Sequence, residues 1–150
     1  MITRLPMMPE HFDLIEPDPA FAGLKARMNR DAILKAGKAM AWVDTARAEV
    51  LAVGGYIVRC EGVAWVWFLP SVRGSRMLLR MTRFFKRWVA SLDGGIRVEA
   101  HVLADFQEGN RWARMLGMER ETEEPIELWD GRRNYHLWSR ITDADRKDGA

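Results

Sequence analysis

The side chains whose types and spacing could do chemistry lie mostly between Glu61 and Arg114. Glu99 and His101 stand two apart in IRVEAHVLAD, so on a strand they share one face. An imidazole with an ordinary pKa of about 6.5, beside a carboxylate, can take up and return a proton near neutral pH. The shared face looks either into a cleft or onto a helix or solvent. Glu61, in the turn before the apolar run VAWVWFL, is either a second proton acceptor facing a substrate or a simple turn residue. Arg73-Gly74-Ser75-Arg76 falls where that run gives way to a helix. Unpaired N–H groups at a helix start attract anions, glycine lets backbone approach closely, and arginine adds charge, so this turn could hold phosphate. Cys60 is the only cysteine, which excludes an intrachain disulfide and a cysteine-based metal site. No neighbouring motif activates it as a nucleophile. His11 and His136 are isolated and make no metal site with His101.

These residues must be positioned by a small set of elements. Residues 1–22 hold four prolines and read as a short strand followed by an irregular arm. Leu24–Lys38 has an apolar face through Leu24, Met28 and Ile33/Leu34, predicting a helix. Ala39–Val43 and Val50–Val58 read as strands. Val63–Leu69 is apolar on both alternating faces, the mark of a central strand covered on both sides, and Pro70 ends it. Arg76–Leu92 predicts a helix with Met77, Met81, Phe84/Phe85, Trp88 and Leu92 on its buried stripe, while Arg80, Arg83 and Arg87 read as its solvated face. Gly94–Gly95 stops it. Arg97–Leu103 alternates as a strand. Asp105 with Glu108 fits a capping box for a helix ending at Gly117. Met118 starts a possible strand, and Tyr135–Arg140 reads as the last one, after the turn WDGRRN. The tail TDADRKDGA reads as frayed. A long helix returning to a strand requires a parallel or mixed α/β layer between residues 63 and 103.

Bulk properties bound the function. A chain of 150 residues with 48% hydrophobic content suits one domain, taken here as residues 1–150. Seven tryptophans, Trp129 among them, are too much aromatic surface to leave in water, so Trp65 and Trp67 read as core rather than ligand platforms. A net charge of +2 argues against nucleic acid as partner. The charge is nonetheless polarised. Arg73 to Arg87 holds six basic residues and no acid, and Glu119 to Glu127 holds five glutamates and one arginine. Such a field either steers an anionic ligand or reflects a solvated helix face and an acidic loop. No apolar run is long enough to cross a bilayer, and the N-terminus lacks a signal-peptide core, which predicts a soluble, non-secreted protein with no membrane partner.

Over about residues 30–140 the chain resembles the GCN5-related N-acetyltransferases, and more narrowly the short acetyltransferase-like proteins of tailed bacteriophages. The resemblance rests on AVGGYIVRCEGVAWVWFLPS, the RGS turn with its long helix, and HVLADFQEGNRWARMLGM. It implies an α/β fold with a central mixed, twisted sheet flanked by helices, and acetyl-CoA as cosubstrate. The acceptor would be an amine, with a protein partner as the alternative, and the location the cytoplasm, a host's if phage-encoded, with virion association as a further possibility. Carried over residue by residue, Phe68, Leu69 and Pro70 would border the pantetheine arm. Arg73, Gly74, Ser75 and Arg76 would meet the pyrophosphate, and Asn110 would bond the pantetheine or adenosine side. A backbone N–H near Phe68–Leu69 would polarise the thioester carbonyl, with Glu99 and His101 as candidate bases. The family's turn has glutamine or arginine, two residues, glycine, any residue, then glycine or alanine. Here Arg76 stands near the second small residue, and either crowds the pyrophosphate or swings out to bind it. The family's helical tyrosine, a proton donor to the departing thiolate, has no counterpart between Gln107 and Gly117. Arg114 is the nearest match and could stabilise a thiolate. A catalytically inactive phage accessory or structural protein is the alternative, and the oligomeric state is open.

Overall fold

The computed structural model describes residues 1–92, 94–127 and 134–142. Residues 129–133 of the turn WDGRRN, Trp129 among them, the tail after Thr142 and the side chain of Arg80 lie outside the described residues. Thr142, expected to start the frayed tail, is instead buried and exchanges backbone bonds with Gly95 and Ile96. The chain divides into two compact units. The first comprises Met1–Val58 and Val66–Met77, and the second Arg59–Trp65 and everything from Leu78 on.

In the first unit, β1 (Ile2–Pro6) pairs antiparallel with β2 (Gly37–Asp44), and β2 with β3 (Glu49–Cys60). The later part of β4 (Val63–Pro70) lies next to β3. Period-2 alternation turns Ala39 and Ala41 of β2 to one face, where they join Val53 and Leu69 in a core closed by Met7, Phe12, Ile15 and Ile33. The last three come from a helical arm, α1 (Pro9–Leu14), α2 (Ala22–Arg27) and α3 (Arg30–Ala36), with a single 3-10 turn at Pro19–Phe21. Two expectations change here. The arm expected to be irregular contains α1, which starts on Pro9, a residue suited to the first helical turn because it needs no N–H partner there. The helix expected over 24–38 is broken at Met28–Asn29, because the Asn29 side chain accepts from the N–H groups of Asp31 and Ala32 and starts a new helix.

In the second unit, the start of β4 runs parallel to β5 (Arg97–Leu103), with Val63, Ala64 and Trp65 opposite Arg97, Val98 and Glu99. Beyond β5 comes β8 (Asn134–Ile141), antiparallel over its length, and β8 also pairs with the short β6 (Glu119–Arg120) and β7 (Ile126–Glu127). The fold class is thus the expected one, a mixed α/β chain with a central mixed sheet flanked by helices. The expected strand Arg97–Leu103 is found with those bounds.

The helix expected from Arg76 begins later. A four-residue α4 (Val72–Ser75) precedes α5 (Leu78–Ser91), whose buried stripe is Leu78, Met81, Phe85 and Val89. Phe84 and Trp88 are only half-buried. Helix α6 (Gln107–Met115) locks onto α5 through Trp112. Its ring meets Phe85 edge-on at 4.8 Å, and its N–H donates to the Thr82 hydroxyl at 3.0 Å. The capping box from Asp105 and Glu108 does not form, since Phe106 holds the cap position without a side-chain bond. Gly117 ends α6 at φ +81°, with Gly117 N–H donating to Arg114 O and Met118 N–H to Ala113 O. That pairing is the Schellman arrangement, in which glycine takes the left-handed conformation without a Cβ penalty.

Gly74 has a different role. A Cβ there would lie 2.0 Å from the Leu51 carbonyl oxygen, so α4 can dock on β3 only with glycine. Gly74→Ala is therefore expected to destabilise the protein by about 3 kcal/mol in urea denaturation. Gly23→Ala, where nothing lies within 4 Å, should leave stability unchanged or raise it by up to about 1 kcal/mol.

Candidate active site

In the first unit the turn after β4 is built around Ser71. Its N–H and its hydroxyl both donate to the Leu51 carbonyl, each at 2.8 Å, and its hydroxyl oxygen accepts from Gly74 N–H at 3.1 Å. Ser75 N–H donates to Ser71 O, and Arg76 N–H to Arg73 O. The backbone donors expected to meet a pyrophosphate at Gly74, Ser75 and Arg76 are thus engaged inside the turn. The Ser75 hydroxyl donates to Asp18 Oδ2 at 3.0 Å, which ties the turn to the N-terminal arm. Arg73 donates to both Glu49 and Asp44, the latter at 3.1 Å. The guanidinium holds the Asp44 carboxyl below its usual range, and the two carboxylates raise the arginine's own pKa. Arg76 is exposed. Leu69 is fully buried in the core, so it can offer a ligand only its backbone, while Phe68 meets Trp42 edge-on at 6.0 Å.

In the second unit, alternation along β5 turns Val98 into the buried core and Arg97, Glu99 and His101 to the opposite face. Parallel register sets Trp65 beside Glu99, and the indole N–H donates to Glu99 Oε1 at 3.3 Å. The Trp65 ring carries two further neighbours. His101 meets it edge-on at 5.2 Å, and the Arg59 guanidinium lies 4.6 Å from its centroid. Arg59 also reaches Glu99 Oε1 at 3.6 Å, and Arg97 reaches Oε2 at 3.4 Å. Arg97 makes its short bond, 2.7 Å, to Glu121, which also accepts from the Ser139 hydroxyl at 2.6 Å. Those two donors, Arg97 first, hold the Glu121 carboxyl below its ordinary pKa. Glu99 is only 7% exposed. Burial lowers the His101 pKa below 6.5, the Glu99 charge opposes that shift, and Arg59 adds to it. Neutral imidazole is therefore the favoured form around pH 7.

On α6 of the same unit, Asn110 donates to the carbonyls of Leu103 and Phe106 and accepts from Trp138 Nε1–H at 2.9 Å. Arg114, one turn on and exposed, lies 5.8 Å from the Trp138 ring centroid. Asn110 thus joins the end of β5 to α6 and β8, which leaves little of its amide for a ligand. Glu61 is exposed in its turn. His11 accepts from Met8 N–H, and His136 pairs with Thr122. Among the described residues no cluster could hold a metal ion, and no helix is long and apolar enough to cross a membrane.

No protein-family pattern and no curated protein matches this sequence. Solved structures do match. The spermidine N-acetyltransferase from Vibrio cholerae in complex with CoA and spermine aligns over 94% of this chain and 95% of its own, with a TM-score of 0.61 and 12% identity. A ribosomal-protein-S5-alanine acetyltransferase from Vibrio fischeri aligns over 95% and 93%, with a TM-score of 0.59 and 16% identity. The chain has the GNAT acetyltransferase fold. Within that GNAT fold, the sequence pointed to Glu99 and His101 as candidates, read Trp65 as core although it is half-buried and bonds Glu99, and did not single out Arg59, Arg97, Glu121 or Ser71. Arg97 was legible, standing two residues before Glu99 on the same strand face. So was Ser71, at the cap position three residues before Gly74. Arg59 and Glu121 reach their partners only through tertiary packing.

Because the folded-state pKa of His101 is lowered, its contribution to stability is present above about pH 6.5 and lost as pH falls through the folded value. The urea midpoint of the parent should accordingly fall more between pH 7.5 and pH 5 than that of His101→Gln. In NMR titrations Glu99→Gln should lower the His101 midpoint further and Arg59→Gln should raise it. Equal shifts in one direction would mean that these charges do not act on the ring.

Proposed function

We propose that this protein is an N-acyltransferase that moves an acetyl group from acetyl-CoA to an amine. The observation that supports this best is the buried Glu99 beside a His101 that burial keeps neutral, on β5 of a chain with the GNAT fold. A neutral imidazole can accept the proton that a reactive amine must lose. The amine nitrogen attacks the thioester carbonyl carbon, the C–N bond forms, the C–S bond breaks and the sulfur leaves as thiolate. His101, with Glu99 at its side, takes the nitrogen's proton. A backbone N–H near Phe68–Leu69 steadies the carbonyl oxygen as it gains charge. Arg114 steadies the thiolate, and solvent can protonate it. Phe68 borders the pantetheine, while Pro70, fully buried like Leu69, only ends the strand. Arg76, exposed at the turn, meets the pyrophosphate, with Arg73, Gly74 and Ser75 shaping that turn.

A second reading is a GNAT-fold protein without catalysis, for example a phage accessory or structural protein acting through a protein partner. The internally bonded amides of the turn, the Arg73 pairing with Asp44 and Glu49, and the lack of a tyrosine in α6 favour it.

Calorimetric titration with acetyl-CoA, compared with desulfo-CoA and ATP, separates the two. The first reading expects saturable micromolar binding of acetyl-CoA and none of ATP, and Arg76→Gln should weaken it about tenfold, the worth of one hydrogen bond to a charged group. With an accepting amine in hand, His101→Gln should lower kcat about a hundredfold. No binding at millimolar acetyl-CoA leaves the second reading.

A further inference from the structure

Glu99 is buried but poorly served. A carboxylate taken out of water needs short, charge-assisted bonds, commonly about 2.7–2.9 Å. Its contacts with Trp65, Arg97 and Arg59 all lie between 3.3 and 3.6 Å. Arg97 makes its short bond to Glu121 and meets Glu99 only at 3.4 Å. The most exposed of the three donors is Arg59. Its side chain is 55% exposed and reaches Glu99 Oε1 only at 3.6 Å while its guanidinium lies over the Trp65 ring. An aromatic face with a carboxylate at its edge is a donor set for an organic cation. Here a cation from the chain itself sits in it, loosely. His101, whose ring meets Trp65 edge-on, adds little competing charge while neutral.

We propose that Trp65 and Glu99 form a subsite for an organic cation, an alkylammonium or guanidinium group, and that Arg59 is its resident occupant, displaced when the cation binds. Displacement costs about a factor of ten in affinity, because the Arg59 side chain is largely in water and its 3.6 Å contact with Glu99 is long for a charge-assisted bond. An incoming ammonium can approach Glu99 more closely than Arg59 does and keep the contact with the indole face. A neutral isostere has nothing to offer the carboxylate, and an anion is repelled. That the bound cation is the acetyl acceptor rests on the acyltransferase reading; that the subsite binds cations does not.

The test uses the full-length protein without acetyl-CoA. The Nε1–H resonance of Trp65, identified by its loss in Trp65→Phe, reports on the ring and its bond to Glu99. The parent, Arg59→Ala, Arg59→Gln and Arg59→Ala/Glu99→Gln are each titrated with n-butylammonium and with neutral butyramide. Removing Arg59 should tighten n-butylammonium binding roughly tenfold, because the competent, unoccupied state no longer has to be won from the side chain. Butyramide should not shift the signal, and the double variant should lose the ammonium response. The proposal is overturned if neither Arg59 variant binds n-butylammonium more tightly than the parent, or if the double variant binds it as well as Arg59→Ala. Arg59→Gln, which keeps most of the side chain, guards against a folding defect in the alanine variant. Failure of the acyltransferase reading shows separately, in the acetyl-CoA titration.

Discussion

Two strands that run the same way cannot be joined by a turn, and this chain depends on that constraint. β4 and β5 are parallel, so the residues between them must cross over as helix. The crossover begins with Ser71 and Gly74 docking on the Leu51 carbonyl and continues as the amphipathic α5. The same pairing sets the register that places Trp65 opposite Glu99. A slip of one residue would put Ala64 or Val66 there and turn the indole to the other face. The polar cluster on β5 is therefore a consequence of strand pairing before it is a matter of side-chain chemistry.

The sequence was most legible where one physical requirement dominates. β5 alternates cleanly, and its bounds and the shared face of Glu99 and His101 followed from period 2 alone. β4 was readable as a strand because it has no charged position, but the expected cover on both faces is incomplete, since Val63, Trp65 and Trp67 are only half-buried. Where two requirements compete, legibility failed. At Asn29 an apolar helical period runs across a residue whose side chain caps a new helix, and the cap prevails. At Asp105 a good capping pattern is present, but Asn110 bonds Leu103 and Phe106 and the helix starts one residue beyond Phe106. At Arg73 the residue type suits an anion site, yet Asp44 and Glu49, distant in sequence, take its charge. No local pattern announces such a partner.

Shared fold at 12–16% identity carries backbone geometry without carrying side-chain chemistry. The turn shows the difference. Its helical form suits the fold, but Ser71 supplies the acceptor for Gly74 N–H, and the chain supplies those for Ser75 and Arg76. A diphosphate arriving there would find the amides of Gly74, Ser75 and Arg76 occupied and would depend more on arginine side chains. Arg76 is the better placed for that, because Arg73 would have to leave two carboxylates first.

The two arginine–carboxylate networks differ in a way that bears on ligands. In the first unit, one guanidinium serves two carboxylates, with a bond of 3.1 Å to Asp44, and it also anchors the turn to β2 and β3. In the second unit, two guanidiniums and two carboxylates balance in charge but not in geometry. Glu121 has bonds of 2.7 and 2.6 Å, while Glu99, the more deeply buried, has none shorter than 3.3 Å. A satisfied polar network rigidifies its surroundings, and a buried group left short of good bonds raises the free energy of the empty state. For the proposed cation subsite, a donor that completes the shell of Glu99 would recover that free energy, a deficit already built into β5. The residue that holds the deficit is the one two places from the histidine that burial keeps neutral. Recognition of a cation and removal of its proton can therefore share one strand face.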